Sequence, residues 1–360
     1  METYSKIYDL FTWIHINSII GLRCFGFILS IVLKVLMPKK YRELVFLFND
    51  YIAVANLPYD GSSYKNEYIA CLFIYGSFVK EFFMYDFIHL NDSGRREYIT
   101  EINRYKLYPK FNGRKKRIEM QSKYKAYETF RPYYKRDAIL ISQDTKFSDL
   151  ESFFAVRETA ILKPDMSGCG KGVEMIRLSD YANREEAYKY ILTHCNYILE
   201  EQIVQTGFMK QIHPQSVNTV RVYACRLKDG IHIFGSHMRV GLGDSIVDNA
   251  AAGGVIISVN NDGVVWTSGV DEFGNRYLEH PDSHVFIPGM KMPEWENALR
   301  LIDEVMAVYP DIRFVGWDLA YTNEGWIIVE ANDNGQFHGA QIPYHRGWKK
   351  EMNRYAKALN

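Results

Sequence analysis

Residues 314–333 read FVGWDLAYTNEGWIIVEAND, two apolar runs on either side of a short polar turn that contains a glycine. This pattern predicts a β-hairpin. Charged side chains are unusual inside such runs, yet Asp318 and Glu330 both occur there. Because successive side chains of a strand point to opposite sides, Glu330 and Asn332 share one face. Polar groups are therefore expected on one face of an otherwise apolar hairpin.

The length of the turn decides whether Asp318 joins these groups. A three-residue turn at 323–325, with Gly325 in the left-handed region, pairs Asp318 with Glu330 at roughly 4.5–5.5 Å between Cβ atoms. A two-residue turn is expected to put the two carboxylates on opposite faces. In the first register, Asp318, Glu330 and Asn332 converge, and the carboxylates repel unless a cation or proton lies between them. We predict a Mg²⁺ site here, with a solvated acidic face as the alternative.

Length and composition are those of a globular protein. The 360 residues suffice for two or three domains, and 47% hydrophobic and 24% charged residues are ordinary values. Forty-three basic and 43 acidic side chains give a formal net charge of zero, so we expect no nucleic-acid partner. The five cysteines are scattered and include no CxxC pair, which indicates a reducing compartment and a cytoplasmic protein.

Residues 1–110 are aromatic-rich and read as helical. The apolar stretch 11–37 is interrupted by Arg23 and Lys34, so no uninterrupted apolar run reaches the ~18–20 residues of a membrane-spanning helix. Peripheral contact of residues 10–40 with the inner face of the cell membrane is one interpretation. A helix packed on its own domain or on a second copy, in a homodimer, is the other.

A glycine-rich loop lies between two short strand candidates. The strand AILKP at 160–164 is followed by the loop SGCGKG at 167–172 and the strand VEMI at 173–176. Glycine lets the backbone approach a ligand closely, and successive N–H groups can form a concavity for anions. This arrangement predicts a flap that closes on phosphates, with the candidate contacts Ser167, Gly168, Gly170 and Gly172. A P-loop is excluded because a strand, not a helix, follows.

Further polar features lie within apolar strand candidates. Residues 197–204, YILEEQIV, turn polar midway, where backbone groups can meet a purine edge and a carboxylate can meet a ribose. Arg221 and Arg239 occupy consecutive apolar strands, which indicates either anion recognition or an internal ion pair. The loop that follows permits close approach of a ligand, and its candidate contacts are Asp248, Asn249, Gly253 and Gly254.

The order of these features resembles the ATP-grasp superfamily, in particular its sugar-transfer-associated branch, found among polysaccharide-biosynthesis proteins. The residues that carry the resemblance are Lys163-Pro164 with Gly168, Gly170 and Gly172, the segment SVNTVR at 216–221, Arg239-Val240-Gly241, Asp248-Asn249, Gly253-Gly254, Gly316-Trp317-Asp318 and Glu330-Ala331-Asn332. The resemblance implies an α+β, ATP-grasp fold whose two α+β lobes clasp ATP, preceded by a helical N-terminal region. The predicted parts are the N-terminal region 1–110, an N-lobe 111–200 with the glycine flap, and a C-lobe 201–350.

The resemblance also implies a nucleotide site. Lys123 and Lys163 would contact the phosphates of ATP. The adenine and ribose would be lined by Glu200, Glu201, Gln202 and Ile203. One departure from the family pattern is that the helix lysine commonly follows an aspartate, whereas Ser122 precedes Lys123 in this chain.

The same resemblance assigns roles around the reacting groups. One or two Mg²⁺ ions would be held by Asp318, Glu330 and Asn332. Arg239 would stabilise charge on the transferred phosphoryl group, and Arg221 and Asn218 would contact phosphate or substrate. These assignments agree with the chemistry of phosphoryl transfer, which needs cations around the phosphate oxygens more than covalent help.

The activity implied by the resemblance is ATP- and Mg²⁺-dependent carboxylate–amine ligation through an acylphosphate, which gives ADP, phosphate and an amide. The expected partners are a small-molecule or glycan-linked carboxylate and an amine. A sugar acid or amino-acid-bearing building block of a cell-surface polysaccharide or capsule is the expected carboxylate, by analogy with the branch. The alternatives are a kinase for a sugar or amino-acid hydroxyl, with Asp248 as base, and a non-catalytic membrane-associated scaffold.

Overall fold

The computed structural model describes residues 1–55, 57, 60–168, 170–248 and 253–359. The helices are α1 Glu2–Phe11, α2 Ile19–Leu36, α3 Pro38–Val54, α4 Lys65–Tyr75, α5 Val79–Met84, α6 Asp92–Glu97, α7 Glu101–Phe111, α8 Arg114–Gln121, α9 Lys123–Tyr134, α10 Phe147–Phe153, α11 Arg184–Leu192, α12 Gly207–Ile212, α13 Trp295–Val308, α14 His338–Gln341 and α15 Lys349–Ala358. Short 3₁₀ helices lie at Gly61–Tyr64 and Leu178–Asp180. The strands are β1 Ala138–Ile141, β2 Thr159–Pro164, β3 Glu174–Arg177, β4 Tyr197–Glu201, β5 Thr219–Leu227, β6 Gly230–Val240, β7 Val255–Val259, β8 Gly269–Val270, β9 Arg276–Tyr277, β10 Phe314–Thr322 and β11 Gly325–Asn332.

The chain folds into two compact units. The first comprises Met1–Phe111, Thr267–Tyr277 and Gln336–Asn360, and the second comprises Asn112–Trp266 and Leu278–Gly335. The mixture of helices and sheets, with helices filling the N-terminal region, confirms the predicted α+β class. The division into three parts at residues 110 and 200 stays a prediction.

The first unit is built around helix α4. Every side chain from Glu67 to Tyr75 is buried, so this helix is covered on all sides. Helices α1, α2, α3 and α5 pack against it. The core is unusually aromatic, and Phe48 stacks on Tyr68 with ring centroids 5.5 Å apart. The apolar, aromatic composition of residues 1–110 is thus used mainly for packing.

Helix α2 rests on α4 through a narrow face. Its buried residues are Leu22, Gly26, Leu29, Ser30 and Leu33. A Cβ at Gly26 would lie 1.8 Å from the carbonyl oxygen of Asn66, so only glycine permits this approach. With 18 residues and a mean hydropathy of 2.2, α2 is long and apolar enough to span a membrane, judged by length and composition alone.

The second unit contains two antiparallel sheets. One has the strand order β1-β4-β2-β3, and helices α10 and α11 contribute Phe153, Tyr188 and Ile191 to its core. The other includes the order β11-β10-β5-β6-β7. Helices α9 and α13 pack against this second sheet at β11. Trp317 of β10 points towards α9, where it meets Phe130 with ring centroids 5.2 Å apart.

The strands β10 and β11 form the predicted hairpin. Asp318 pairs directly with Glu330, which confirms the register that brings the two carboxylates together. The turn, however, has two residues, because Thr322 pairs with Gly325 and only 323–324 lie between them. Gly325 adopts the expected left-handed conformation, with φ of 83°.

A β-bulge reconciles the two-residue turn with this pairing. Leu319 pairs with Ile328 and the next pair is Asp318 with Glu330, so Val329 is an extra residue in β11. Without the bulge, Asp318 would face Val329, and Glu330 would point to the other side of the sheet. The expectation that a two-residue turn separates the carboxylates is therefore wrong, because the bulge shifts the register by one residue.

Replacement of Gly26 by alanine tests the docking of α2 on α4. Alanine has the higher helix propensity, by about 1 kcal/mol, and would stabilise an unpacked helix. Here the added Cβ meets the backbone oxygen of Asn66, so we expect a net loss of about 1–3 kcal/mol and a lower Tm by several degrees. Calorimetric melting of Gly26→Ala and of Gly113→Ala, whose Cβ would meet no atom within 4 Å, checks this. Equal Tm values for the two variants would contradict the close packing.

Candidate active site

A row of polar residues crosses five neighbouring strands of the second sheet. Strand pairing places one residue of each strand in line, and these five residues, the polar row, are Glu330, Asp318, Arg221, His237 and Ser258. Directly paired residues of antiparallel strands point to the same face. The polar row therefore lies on the face opposite to Trp317 and helix α9. One face of the sheet is thus packed by helices, and the other presents charged groups.

Asp318 is the central charge of the polar row. Its Oδ1 accepts a hydrogen bond from Arg221 Nε at 2.6 Å, and its Oδ2 accepts from Arg221 Nη2 at 2.6 Å and Arg239 Nη2 at 2.8 Å. Burial alone would raise the pKa of Asp318, but the two guanidinium groups outweigh burial and lower the pKa to about 2. Both arginines therefore form an internal ion pair with Asp318, and anion recognition by either of them stays a prediction.

The oxygen atoms around Asp318 fit a hard divalent cation. Asn332 donates its Nδ2–H to Asp318 Oδ2 at 3.2 Å, which leaves its own Oδ1 available as a ligand. The side chain of Glu330 is 33% exposed and is paired opposite Asp318. Asp318 Oδ2 already accepts three hydrogen bonds, whereas Oδ1 accepts the one from Arg221 within the described chain. Two carboxylates and an amide oxygen are the donor types that Mg²⁺ takes.

Lys123 opens helix α9 in a capped position. The Ser122 hydroxyl accepts a hydrogen bond from the backbone N–H of Lys125 at 3.1 Å and so caps the helix. Serine and aspartate are both good N-caps, so Ser122 can cap α9 as the aspartate of the family pattern would. The presence of serine in place of aspartate before Lys123 therefore leaves the N-terminus of α9 capped.

The side chain of Lys123 links the glycine flap to the hairpin. Its ammonium group donates to the backbone carbonyl of Ser167 and lies 3.4 Å from that of Asp165, at the base of the flap. The same Nζ is 3.6 Å from Glu330 Oε1. One cation therefore lies between a phosphate-binding candidate and a metal-binding candidate.

Glu200 is enclosed by two cations. Its Oε2 accepts hydrogen bonds from Arg136 Nε at 3.1 Å and Nη2 at 2.9 Å, and its Oε1 lies 2.7 Å from Lys163 Nζ. Burial would raise the pKa of Glu200, but Arg136 and Lys163 together lower it to about 2. The carboxylate predicted to meet a ribose is thus occupied, and it positions Lys163 instead.

Arg136 also holds the bulge of β11. Its Nη1 donates to the carbonyl of Ile328 at 2.6 Å and its Nη2 to the carbonyl of Val329 at 3.0 Å. In the described sheet β11 is an edge strand, so carbonyls on its outer side have no neighbouring strand to bond to, and a buried carbonyl without a donor is costly. One guanidinium group therefore satisfies the bulge and neutralises Glu200 at the same time.

The segment after Glu200 includes backbone groups that form no hydrogen bond with the described residues. Glu201 accepts from Arg157 Nη2 at 3.1 Å, and Gln202 Oε1 accepts from Thr159 Oγ1 at 2.9 Å, so both side chains are engaged. The N–H and C=O of Ile203 form no hydrogen bond with the described residues. The N–H donor and the C=O acceptor of one residue, both available, suit the edge of a purine ring.

The flap glycines adopt conformations that favour glycine. Gly170 and Gly172 have φ of 69° and 71°, in the left-handed region. A Cβ at Gly170 would lie 3.3 Å from Val247, so the flap packs closely on the loop after β6, whereas Gly168 has open space around it. Ser167 lies at the base of the flap, where its hydroxyl is 3.3 Å from the Lys171 carbonyl.

Asn218 has no unused polar position. Its Oδ1 accepts from Ser216 Oγ at 2.9 Å and from Gly241 N–H at 3.2 Å. Its Nδ2 donates to the carbonyls of Met209 at 2.6 Å and His213 at 2.8 Å. The fully buried side chain fixes the start of β5, so it does not offer the free amide that the predicted phosphate or substrate contact needs.

Asp248 is tied to Thr219. It accepts from the backbone N–H of Thr219 at 2.9 Å and from its hydroxyl, and the same hydroxyl accepts from Arg239 Nη2 at 2.7 Å. Burial raises the pKa of Asp248, against the opposing effect of Arg239. Asp248 therefore orients Arg239 through Thr219. Of the other loop candidates, Gly253 has φ of 91°, Gly254 is buried, and Asn249 lies outside the described residues.

Acid titration tests the Glu200 cluster. A carboxyl whose folded pKa lies near 2, below its ordinary value of about 4.3, stabilises the fold above the ordinary pKa and loses that contribution as the pH falls towards 2. Wild-type Tm should therefore drop steeply between about pH 5 and pH 2. In Glu200→Gln we expect a lower Tm at neutral pH and a shallower drop on acidification.

The matched control for this titration is Glu201→Gln, which changes the neighbouring and more exposed carboxylate. It should follow the wild-type acid slope. An acid slope in Glu200→Gln as steep as that of the wild type would contradict the assignment of the low pKa to the Glu200 cluster.

Solved structures similar to this chain are ATP-grasp enzymes of low sequence identity. The ADP complex of purK, N5-carboxyaminoimidazole ribonucleotide synthetase, is 12% identical with a TM-score of 0.38 over 61% of this chain and 46% of that one. The ATP-grasp ligase PsnB, complexed with a phosphomimetic variant of minimal precursor, Mg and ADP, is 12% identical with a TM-score of 0.41 over 69% and 61%. D-alanine-D-alanine ligase from Helicobacter pylori is 12% identical with a TM-score of 0.39 over 67% and 59%. The chain spans less than two thirds of each of these three proteins.

Comparison of the sequence with curated proteins gives no match. Residues 93–357 match the family described as sugar-transfer associated ATP-grasp, which is well over half of the 360 residues. The matched range contains the lysines, the flap, the two arginines and the hairpin discussed above. The chain therefore belongs to the sugar-transfer-associated ATP-grasp family, as the resemblance of its motifs predicted.

Proposed function

We propose that this protein is an ATP- and Mg²⁺-dependent ligase that joins a carboxylate to an amine. The observation that carries the proposal is the position of Lys123. Its Nζ contacts the backbone at the base of the flap and lies 3.6 Å from Glu330 Oε1. A phosphate-binding loop, a lysine and a metal-binding carboxylate at one point are the components that phosphoryl transfer requires.

The nucleotide would be bound by groups from both sheets. Lys123, Lys163 and the N–H groups of the flap would hold the phosphates, and the backbone N–H and C=O of Ile203 would receive the adenine. Glu200 would act indirectly, because its bond of 2.7 Å fixes the ammonium group of Lys163. Mg²⁺ would be held by Glu330, Asn332 and Asp318 Oδ1, and when bound it supplies neutralising charge to the phosphate oxygens.

The two arginines differ in their freedom to reach a substrate. Arg221 is bidentate to Asp318 and buried, so its role is to position that carboxylate. Arg239 donates to Asp318 through one nitrogen, Nη2, and its guanidinium group is oriented by a hydrogen bond to Thr219. Arg239 is therefore the better candidate for the group that stabilises charge on the transferred phosphoryl group.

The proposed reaction proceeds in two transfers. An oxygen of the substrate carboxylate attacks the γ-phosphorus of ATP, the bond to the bridging oxygen breaks, and ADP leaves. The amine nitrogen then attacks the carbonyl carbon of the acylphosphate, inorganic phosphate leaves, and the nitrogen loses a proton to give the amide. Cations placed around the phosphate oxygens and exclusion of water are the main contributions that the protein can make.

The family description supports a sugar-linked substrate. We propose a sugar acid or an amino-acid-bearing building block of a cell-surface polysaccharide as the carboxylate, with a small amine as the second partner. A kinase would need a free base beside the acceptor hydroxyl. Asp248, the base considered for that role, is bound to Thr219 and Arg239, so no observation favours the kinase.

Trapping of the acylphosphate tests the proposed function. The protein would be incubated with ATP, Mg²⁺, hydroxylamine and a panel of uronic and amino acids. We expect a hydroxamate together with equal amounts of ADP and free phosphate. Glu330→Gln should lower the rate by roughly 10²–10³, a loss typical of removing one charge-stabilising group from an active site. Formation of a phosphoester without free phosphate would contradict ligation and establish the kinase.

The control variant for this assay is Glu324→Gln. Glu324 is exposed in the turn of the same hairpin, six residues from Glu330 in sequence, and it belongs to no proposed binding group. Its rate of hydroxamate formation should equal that of the wild type. An equal loss in both variants would mean that the hairpin, and not its metal-binding carboxylate, was damaged.

A further inference from the structure

The outward face of helix α2 is a continuous apolar surface. Its large side chains are between 42% and 72% exposed, and these residues, the α2 stripe, are Ile20, Phe27, Ile28, Ile31, Val32 and Val35. They recur at the three- and four-residue spacing of one side of a helix. Exposed apolar surface of this extent on a soluble unit indicates a binding surface.

The opposite face of α2 is fixed to the protein along its length. Besides the close contact of Gly26 with Asn66, Arg23 Nε donates to Glu67 Oε1 at 2.6 Å, and Glu67 is fully buried. A helix that crossed a membrane would have to break this ion pair and expose α4. The docked face and the stripe therefore favour a helix that stays packed on α4 and lies along a membrane or protein surface. They disfavour a helix that detaches from the first unit to cross a membrane.

The segment that contains the stripe carries more basic than acidic side chains. Residues 10–42 contain five basic side chains and no aspartate or glutamate, although the whole chain has 43 of each sign. The five are Arg23, Lys34, Lys39, Lys40 and Arg42. Arg23 is paired with Glu67 and Lys40 with Glu43, whereas the other three form no ion pair with the described residues. Such a segment is complementary to a surface of anionic headgroups. Trp13, 72% exposed just before α2, is the residue type that prefers the boundary between headgroups and acyl chains.

We propose that the α2 stripe binds the surface of a membrane that contains anionic lipids, with α2 lying in the plane of the headgroups. The apolar side chains would enter the outer part of the acyl region, and the basic residues would remain among the headgroups. A second copy of the chain is the other occupant to consider. It would bring together two sets of three cations, Lys34, Lys39 and Arg42, that have no acidic partner among the described residues, so charge disfavours it.

Vesicle flotation of the full chain tests this proposal. Vesicles of phosphatidylcholine alone would be compared with vesicles of phosphatidylcholine and phosphatidylglycerol. We expect binding to the anionic vesicles that weakens as salt is raised, and a loss of at least about tenfold in Phe27→Ser/Ile31→Ser/Val35→Ser. The matched control is Val156→Ser/Val204→Ser/Val308→Ser, which removes three apolar side chains that are 50–83% exposed in the second unit. This control should bind like the wild type.

A second measurement does not depend on a variant that removes the stripe. Cys24 is exposed on the same side of α2, so an environment-sensitive dye can be attached to it in a Cys169→Ser/Cys195→Ser background. A blue shift of the dye on addition of anionic vesicles supports insertion. No shift together with no flotation overturns the proposal. The proposal is also overturned if light scattering shows a dimer that requires the α2 stripe and the protein binds neither kind of vesicle. That result would identify a second copy of the chain as the occupant.

Discussion

The site depends on one buried guanidinium group. Arg136 donates to the carbonyls of Ile328 and Val329, at the β-bulge of the edge strand β11, and it neutralises Glu200. The bulge pairs Asp318 with Glu330, and Glu200 fixes Lys163. Removing one partner of a buried ion pair of this kind typically costs about 3–5 kcal/mol. Arg136 thus couples the sheet that carries Lys163 to the hairpin that carries the metal-binding candidates.

Charge balance explains the remainder of the site. Asp318 could not stay ionised at 1% exposure without compensation, and Arg221 and Arg239 supply it. The arrangement also fixes both arginines, because a guanidinium bound to a buried carboxylate has little freedom. Thr219 and Asp248 complete the orientation of Arg239. A charged face therefore exists in a folded state before any ligand binds, which is the preorganisation that electrostatic catalysis needs.

Much of this site could be predicted from the sequence, because the hairpin, the flap and the arginine strands are local patterns. The bulge could not be predicted, because Ile328 and Val329 are both apolar. The sequence therefore does not show where the alternation of inward and outward side chains shifts by one residue. Arg136 stands between Lys135 and Asp137 just before a strand, and nothing local marks it as buried. The saturated amide of Asn218 also depends on contacts that residue type does not reveal. Likewise, no local pattern assigns 267–277 and 336–360 to the first unit.

Calorimetric titration with ATP tests whether the hairpin forms a nucleotide–metal site. Wild type would be titrated with Mg²⁺ and with chelator, beside Asp318→Asn/Glu330→Gln and the control Glu324→Gln. We predict tight binding that needs Mg²⁺, is lost in the double variant and is retained in the control. Circular dichroism and Tm of the double variant would confirm that it is folded. Binding that is independent of Mg²⁺, or that survives in the double variant, would contradict a nucleotide–metal site built on this hairpin.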